Sequence, residues 1–502
     1  MSDSRVLAIA LDAADPEWLL RLVDRGALPA LGALRDRSRV RTVRSSAWLG
    51  SGAVWPTWFT GSPPDVHGFY SDWAWRPDTM AVARADHDRL APFWRDGAIP
   101  LTVVDVPFAP LTRSPGVVEI ENWGAHDWLG DHLRVHPPAA AGALGELLES
   151  VHPFRQPGAD VEDPFDADGL RRLIDACLTG VDRRLCLAER LDERLASRLT
   201  IVVFTELHRA GHHLWHTADE RHPLFERARE LPADVREGRE RIARAIDRGI
   251  ARLQSRDPEA AVVVFSLHGM RPTRGIPSML DDILERLGYA SQPRAWQRSP
   301  QQWLQHTLGL LKRSAPGAVK RLYHRRVSRS TAMRLAQPPM GARAWDWRRT
   351  RAMSLPTDQH GWIRLNLAGR ERDGLVPRDR YAALCAEIAD TLERLRLDTG
   401  DPLVARVINV ADRVGSRQSI DLPDLVVHWS EAVTGGTATK VTDLDVPIVL
   451  LGPKFSGQHA PDGFLLEPAP HEGADASIAS AAIADLLCRR AGMSGPGAHG
   501  RG

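Results

Sequence analysis

The chain has 502 residues, 43% hydrophobic and 26% charged, with a formal net charge of +1. That composition is ordinary for a globular protein, and the length suggests about three folding units or one large α/β core with insertions. A near-neutral balance gives no global field to favour nucleic acid or a membrane surface, so neither is expected as a partner.

Val6–Leu11 is a short continuous apolar run, the mark of a strand buried on both faces. Asp12 ends it, and Asp15-Pro16 reads as a helix N-cap with proline at the first helical position. Trp18, Leu19, Leu22 and Val23 make a helical stripe that Gly26 stops. A carboxylate at the C-terminal end of such a strand lies where open α/β sheets place their chemistry, although a turn-forming Asp has the same signature.

Ser51 heads the next informative stretch, Ser51-Gly-Ala-Val-Trp-Pro-Thr-Trp-Phe-Thr-Gly61, which reads as a helix start with an apolar face at Val54, Trp55, Trp58 and Phe59. A hydroxyl there is either a plain N-cap or a group set beside unpaired N–H groups that favour an anion. Two more strands are expected at Leu101–Val106 and Val117–Ile120, then mostly helix over 139–198. Leu199–Phe204 repeats the buried-strand pattern and delivers His208, His212, His213 and His216. His208 and His212 are four apart, which on a helical turn puts two imidazoles on one face, able to chelate one metal ion. A third buried strand, Ala261–Ser266, hands His268 to the same sheet edge.

Residues 290–352 differ: they are rich in Arg, carry Trp296, Trp303, Trp345 and Trp347, and hold Asp346 as their only acid. They read as a basic, Trp-rich helical insertion, either a lid over an anionic substrate, an interaction surface, or a hairpin packed on the core. The α/β texture returns at Gly361–Asn366, with a helix at 377–395 and strands near 404–409, 424–428 and 447–451. A turn-rich loop at 457–463 carries His459, a helix near 475–489 follows, and 491–502 is Gly-rich and expected to be a disordered tail. This divides the chain into a core with parts at 1–289 and 353–490 around the insertion. The four cysteines show no metal or disulfide spacing, the N-terminus lacks a signal-peptide pattern, and no apolar run approaches the roughly 20 residues that span a bilayer. A soluble, cytoplasmic protein is expected.

Taken in order, the LDAADP, SGAVWPTWFTGSPPDVHG, FTELHRAGHHLWH, SLHG, GWIRLNLAGRE and GQHAPDG blocks resemble the alkaline phosphatase superfamily, in its type I phosphodiesterase/nucleotide pyrophosphatase branch. The resemblance implies a three-layer α/β/α sandwich with a mostly parallel sheet. It also implies a Ser or Thr that attacks phosphorus beside two metal ions, usually zinc. Ser51 matches the nucleophile, since Trp55 to Gly61 follows the family's W-x-x-x-x-T-G pattern. Asp12, His212, His268 and His459 match metal ligands, and Ser51 itself touches metal in that scheme. Two positions depart: His208 stands where the family has Asp, and Leu267 where it has the Asp of Asp-His-Gly. The first change keeps a donor and implies a three-imidazole zinc site; the second removes one.

The leading expectation is hydrolysis of a small phosphate monoester or diester through a covalent phosphoserine on Ser51, with one or two divalent ions. A transferase on the same site and a non-catalytic binding protein that lost a metal site are the alternatives. A sulfatase is disfavoured by the serine and by the lack of a Cys-x-Pro/Ala-x-Arg stretch.

Overall fold

Val6–Leu11 forms strand β1 near the middle of a nine-stranded sheet among the described residues. In this computed structural model the described residues are 5–496, except 98, 125–132, 146–153, 155–160, 162, 196, 275–278, 294–344, 357–358, 415–420, 434–438, 443, 445, 449–454 and 470–476. They divide into two units. The first comprises Met1–His67, Asp86–Pro272 and Lys454–Gly502; the second comprises Gly68–Ala85 and Thr273–Pro453.

In the first unit the sheet also contains β2 (Ser38–Arg44), β3 (Leu101–Val104), β4 (Val117–Glu121), β5 (Arg134–His136), β6 (Leu199–Phe204) and β7 (Ala261–Ser266). Beyond a short pair, β8 (Gly269–Pro272) and β9 (Gly457–Ala460), lie β10 (Asp462–Pro468) and β11 (Ser477–Ala479). The sheet order is β11-β2-β10-β7-β1-β6-β3-β4-β5. The five central strands are parallel, with Leu11 beside Phe204 and Ala10 beside Phe265. The three ends that carry Asp12, Thr205 and Leu267 therefore leave the sheet at one edge.

Alternation along these strands builds two faces. Ile9, Leu11, Val202, Phe204, Val262 and Val264 share one core with helices α1 (Pro16–Asp24), α3 (Ala167–Leu195) and α5 (Gly238–Arg256). On the other face Phe265 meets Trp58 of α2 (Val54–Thr60), ring centroids 5.3 Å apart. That aromatic cluster continues through Trp55, Phe93 and Trp94. The layered α/β architecture expected from the three apolar runs is the one observed. Strand β3 is shorter than Leu101–Val106, because Asp105 takes φ 62° and turns the chain, its carboxylate bonding the Gly124 amide and Arg184.

The 457–463 segment differs from the loop expected there. Gly457–Ala460 pairs antiparallel with Gly269–Pro272, setting His459 opposite Met270. Turn-type residues are compatible with a strand once a partner supplies the ladder, which periodicity alone cannot reveal.

The second unit has its own antiparallel four-stranded sheet, in the order Ala352–Leu355, Gly361–Leu365, Leu425–Trp429, Val404–Asn409. Its Asn366 and Arg370-Glu371 hold a buried polar network. Arg364 bonds Glu371, Arg370 grips Asp424 at 2.7 Å, and the Trp75 indole and Tyr381 hydroxyl cap the two carboxylates. The helix expected around Leu304, Leu308 and Leu311, with Trp296 and Trp303, lies outside the described residues. Of that cluster, Trp347 packs on Trp75 at 5.7 Å.

Candidate metal centre and active site

Helix α4 (Glu206–Leu214) starts one residue after β6, so its first turn stands at the sheet edge. His208 and His212 lie one turn apart on it, and their Nε2 atoms approach to 2.9 Å. His459 on β9 comes from the opposite side, its Nε2 2.9 Å from that of His208. The ligating atoms of these three imidazoles all lie within 4.8 Å of one another.

Two glycines permit this convergence. A Cβ on Gly457 would sit 2.2 Å from the Gly211 carbonyl oxygen, and one on Gly211 would meet the Met270 side chain at 2.7 Å. Helix α4 and the β8–β9 pair touch backbone to backbone there, and the short distance places His212 and His459 on a common centre.

The outer nitrogen of His212 settles its tautomer. His208 Nδ1 lies 2.8 Å from Asp12 Oδ2, and His212 Nδ1 lies 2.8 Å from the Gly457 carbonyl oxygen. A carbonyl only accepts, so His212 Nδ1 carries the proton and donates it, whereas the His208–Asp12 approach is a charge contact without hydrogen-bond geometry. The Nε2 lone pair of His212 is then aimed at His208 Nε2. A proton on His208 Nε2 or a metal cation satisfies that lone pair. Burial, reinforced by the His208 charge, holds the His212 pKa well below the usual imidazole range, although the Gly457 carbonyl opposes the shift. Burial followed by His268, His208 and His212 does the same to His459, with Asp12 opposing. Neutral imidazoles are the form that binds metal. Around a tetrahedral zinc with bonds of about 2.0–2.1 Å, ligand nitrogens stand about 3.3 Å apart, so the observed spacing fits one such ion with slight expansion.

Asp12 is 1% exposed and is surrounded by the Trp55, His208 and His268 rings. The Trp55 indole N–H donates to Oδ1 at 3.0 Å, and His268 Nε2 lies 3.4 Å from the same oxygen. The His268 ring packs against His459 with centroids 4.7 Å apart. Trp55 was legible only as part of an apolar face; its indole ties the Ser51 segment to Asp12. The family-type spacing of four residues between Ser51 and Trp55 was the signal available.

Ser51 opens a short 3-10 turn, Ser51–Ala53, that runs into α2, with Gly50 rather than Ser51 in the capping position. It is half-buried. It precedes by four residues the tryptophan whose indole reaches Asp12.

The remaining histidines of the block do other work. His216 is buried between the Ser456 hydroxyl and the Pro164 carbonyl, at 2.9 and 3.0 Å. His213 packs beside Phe455, whose ring also lies 5.2 Å from His212 and is 36% exposed at the mouth of the cluster. Glu206, the nearest acid in sequence, is fully buried and paired with Arg184 at 3.0 Å.

The model of the type I phosphodiesterase/nucleotide pyrophosphatase family matches residues 6–430. The chain belongs to that family. It is thus a phosphoric ester hydrolase, and the match covers every proposed site residue except His459. Among solved structures it is similar to phosphonoacetate hydrolase from Sinorhizobium meliloti in complex with phosphonoformate, with 16% identity, a TM-score of 0.52, and coverage of 97% of this chain and 96% of that one. The same hydrolase in complex with phosphonoacetate gives 15% identity and a TM-score of 0.51, with the same coverage. Murine ectonucleotide pyrophosphatase/phosphodiesterase 5 in complex with AMP is similar at 11% identity and a TM-score of 0.47, over 98% and 96% of the two chains. No curated protein matches the chain. At such identities the phosphonoacetate hydrolase likeness concerns the fold, an alkaline phosphatase-like α/β architecture. No helix among the described residues is long and apolar enough to cross a membrane.

Proposed function

We propose that the chain hydrolyses a small phosphate ester with Ser51 as nucleophile and a divalent ion, zinc by donor chemistry, on His208, His212 and His459. The observation that carries this reading is the convergence of the three Nε2 atoms, with the His212 tautomer set by a carbonyl that only accepts. Three neutral nitrogens suit zinc better than magnesium or calcium, which prefer oxygen. Bound there, the ion supplies Lewis acidity and lowers the pKa of the oxygen it meets.

Ser51 Oγ attacks phosphorus in line, and the bond to the leaving group breaks. Water then attacks the phosphoserine and restores the hydroxyl. Trp55 and Asp12 hold the serine segment and the imidazoles in register, since a small misplacement costs heavily in rate. The small phosphonate ligands of the phosphonoacetate hydrolase structures support a compact anionic substrate for this chain. Four unpaired cysteines support a reducing compartment, and we assign the enzyme to the cytoplasm on that ground.

The test is turnover of aryl phosphate monoesters and diesters by the zinc-loaded wild type and by Ser51→Ala. The variant is expected to lose about three orders of magnitude or more in kcat. Acid-quenched wild type should yield a phosphorylated peptide containing Ser51. Full activity in Ser51→Ala rejects the proposal.

A further inference from the structure

We infer that Ser266 is a positioning residue of this centre: its hydroxyl ties the turn that carries Asp12 to the turn that carries His268, and so holds the two side chains face to face. The inference rests on the reading of the centre as a metal-dependent hydrolase site.

The hydroxyl joins two backbones. Ser266 is the last residue of β7 and is 1% exposed. Its Oγ donates to the His268 carbonyl oxygen at 2.7 Å, and a carbonyl only accepts, so the oxygen is left to receive the Ala14 N–H at 3.2 Å. The other acceptor of that amide, the Leu11 carbonyl oxygen, is more distant at 3.4 Å. One buried side chain thus links the residue two after Asp12 to the backbone of His268.

Both turns are ones that need holding. Ala13, 2% exposed and packed with Trp215 and Met270, has φ 53°. A residue with a Cβ is strained in the left-handed region and stays there where its surroundings over-determine it. The bond to Ala14 fixes the far side of that turn. The His268 side is confined by contact. A Cβ on Gly269 would meet Pro16 Cδ at 3.0 Å and the Asp462 carbonyl oxygen at 2.9 Å, and one on Gly463 would meet the Leu267 carbonyl carbon at 2.7 Å.

The polarity of the two side chains explains why a brace matters. His268 Nδ1 lies 3.3 Å from the Gly269 carbonyl oxygen, so in the neutral ring that nitrogen carries the proton. Nε2 then turns its lone pair toward Asp12 Oδ1, 3.4 Å away. Two acceptors repel until a proton or a metal cation arrives at Nε2. Attraction between them does not set their spacing; the two backbones do, and Ser266 joins those backbones. A pair held ready in this way does not have to be assembled when the cation binds.

The experiment compares wild type, Ser266→Ala and the double variant Ala13→Gly/Ser266→Ala, all as the full chain. Zinc affinity is measured by competition with a chromogenic chelator, and kcat and KM on an aryl phosphate with zinc in excess. Ser266→Ala is expected to weaken zinc binding about 10–100-fold and to lower kcat by a similar factor, with KM changed less than about threefold. Adding Ala13→Gly is expected to recover about fivefold of each loss, because glycine takes the left-handed turn without a brace. If Ser266→Ala shifts the urea midpoint and leaves zinc affinity and kcat unchanged, Ser266 serves stability alone; the inference is overturned and the hydrolase reading stands. A loss with no recovery in the double variant also overturns it, since the Ala13 turn is then not what Ser266 holds. No zinc bound by wild type sinks the hydrolase reading and the inference with it. Should Ser266→Ala fail to fold, the double variant decides: a folded, zinc-binding protein upholds the inference, and failure of both variants to fold refutes it.

Discussion

Asp12 shows how one carboxylate can be kept at 1% exposure without becoming a liability. Burying it alone would cost several kcal/mol, and the Trp55 indole N–H on Oδ1, with the imidazole of His208 beside Oδ2, offsets part of that cost. Gly457 and Gly211 are the other residues on which the centre depends, for steric reasons only. Gly457→Ala places a methyl group 2.2 Å from the Gly211 carbonyl oxygen, so α4 and β9 must separate. We expect a loss of about 1–3 kcal/mol in urea unfolding, the range for overpacking, and a weaker zinc affinity by calorimetry. Normal zinc binding in that variant would show that the approach of the two backbones is not needed.

At the scale of the element, α2 joins the serine segment to Asp12 through one indole and carries a buried threonine beside a histidine. Trp55 bonds Asp12, and the Thr57 hydroxyl meets His67 Nε2 at 3.1 Å. Burial, with the Arg89 charge adding to it, pushes His67 down from 6.5 to about 3. His216 is pushed down to about 4 by burial and by His222. Both folded pKa values lie below the unfolded one, so the unfolded chain binds more protons at mildly acid pH. Stability from these groups is complete above about pH 6.5 and is lost progressively as pH falls toward their folded values. Melting temperature should therefore drop between pH 6.5 and pH 4, and His67→Gln should show a shallower drop. An equal slope in the variant would exclude His67 as a contributor.

For the whole molecule, each unit carries its own source of stability. In the second unit Arg364 and Glu371 are fully buried partners at 2.8 Å, and Arg370 shares the same carboxylate. Glu371→Ala leaves two buried guanidinium groups short of a partner, and a loss of about 3–5 kcal/mol is expected by denaturant unfolding. In the first unit, ligand linkage predicts the opposite sign on metal addition. Zinc at a hundred times its dissociation constant should stabilise the fold by about 2.7 kcal/mol. Chelation should reverse that shift and abolish ester turnover together; a chelator that removes metal with activity intact would refute metal dependence.

The sheet was legible in Val6–Leu11, Leu199–Phe204 and Ala261–Ser266, because strands buried on both faces must be apolar throughout. The pairing of His208 with His212 was legible too, since helical geometry is local and repeats every 3.6 residues. His459 was found only through family resemblance, and the strand that carries it looked like a loop, because its hydrogen-bond partner lies almost two hundred residues away. What the folded chain alone decided is the work of Asp12, Trp55 and Gly457. Hydrogen-bond direction, tautomer and steric clearance depend on atoms brought together from distant segments, and no local pattern encodes those distances.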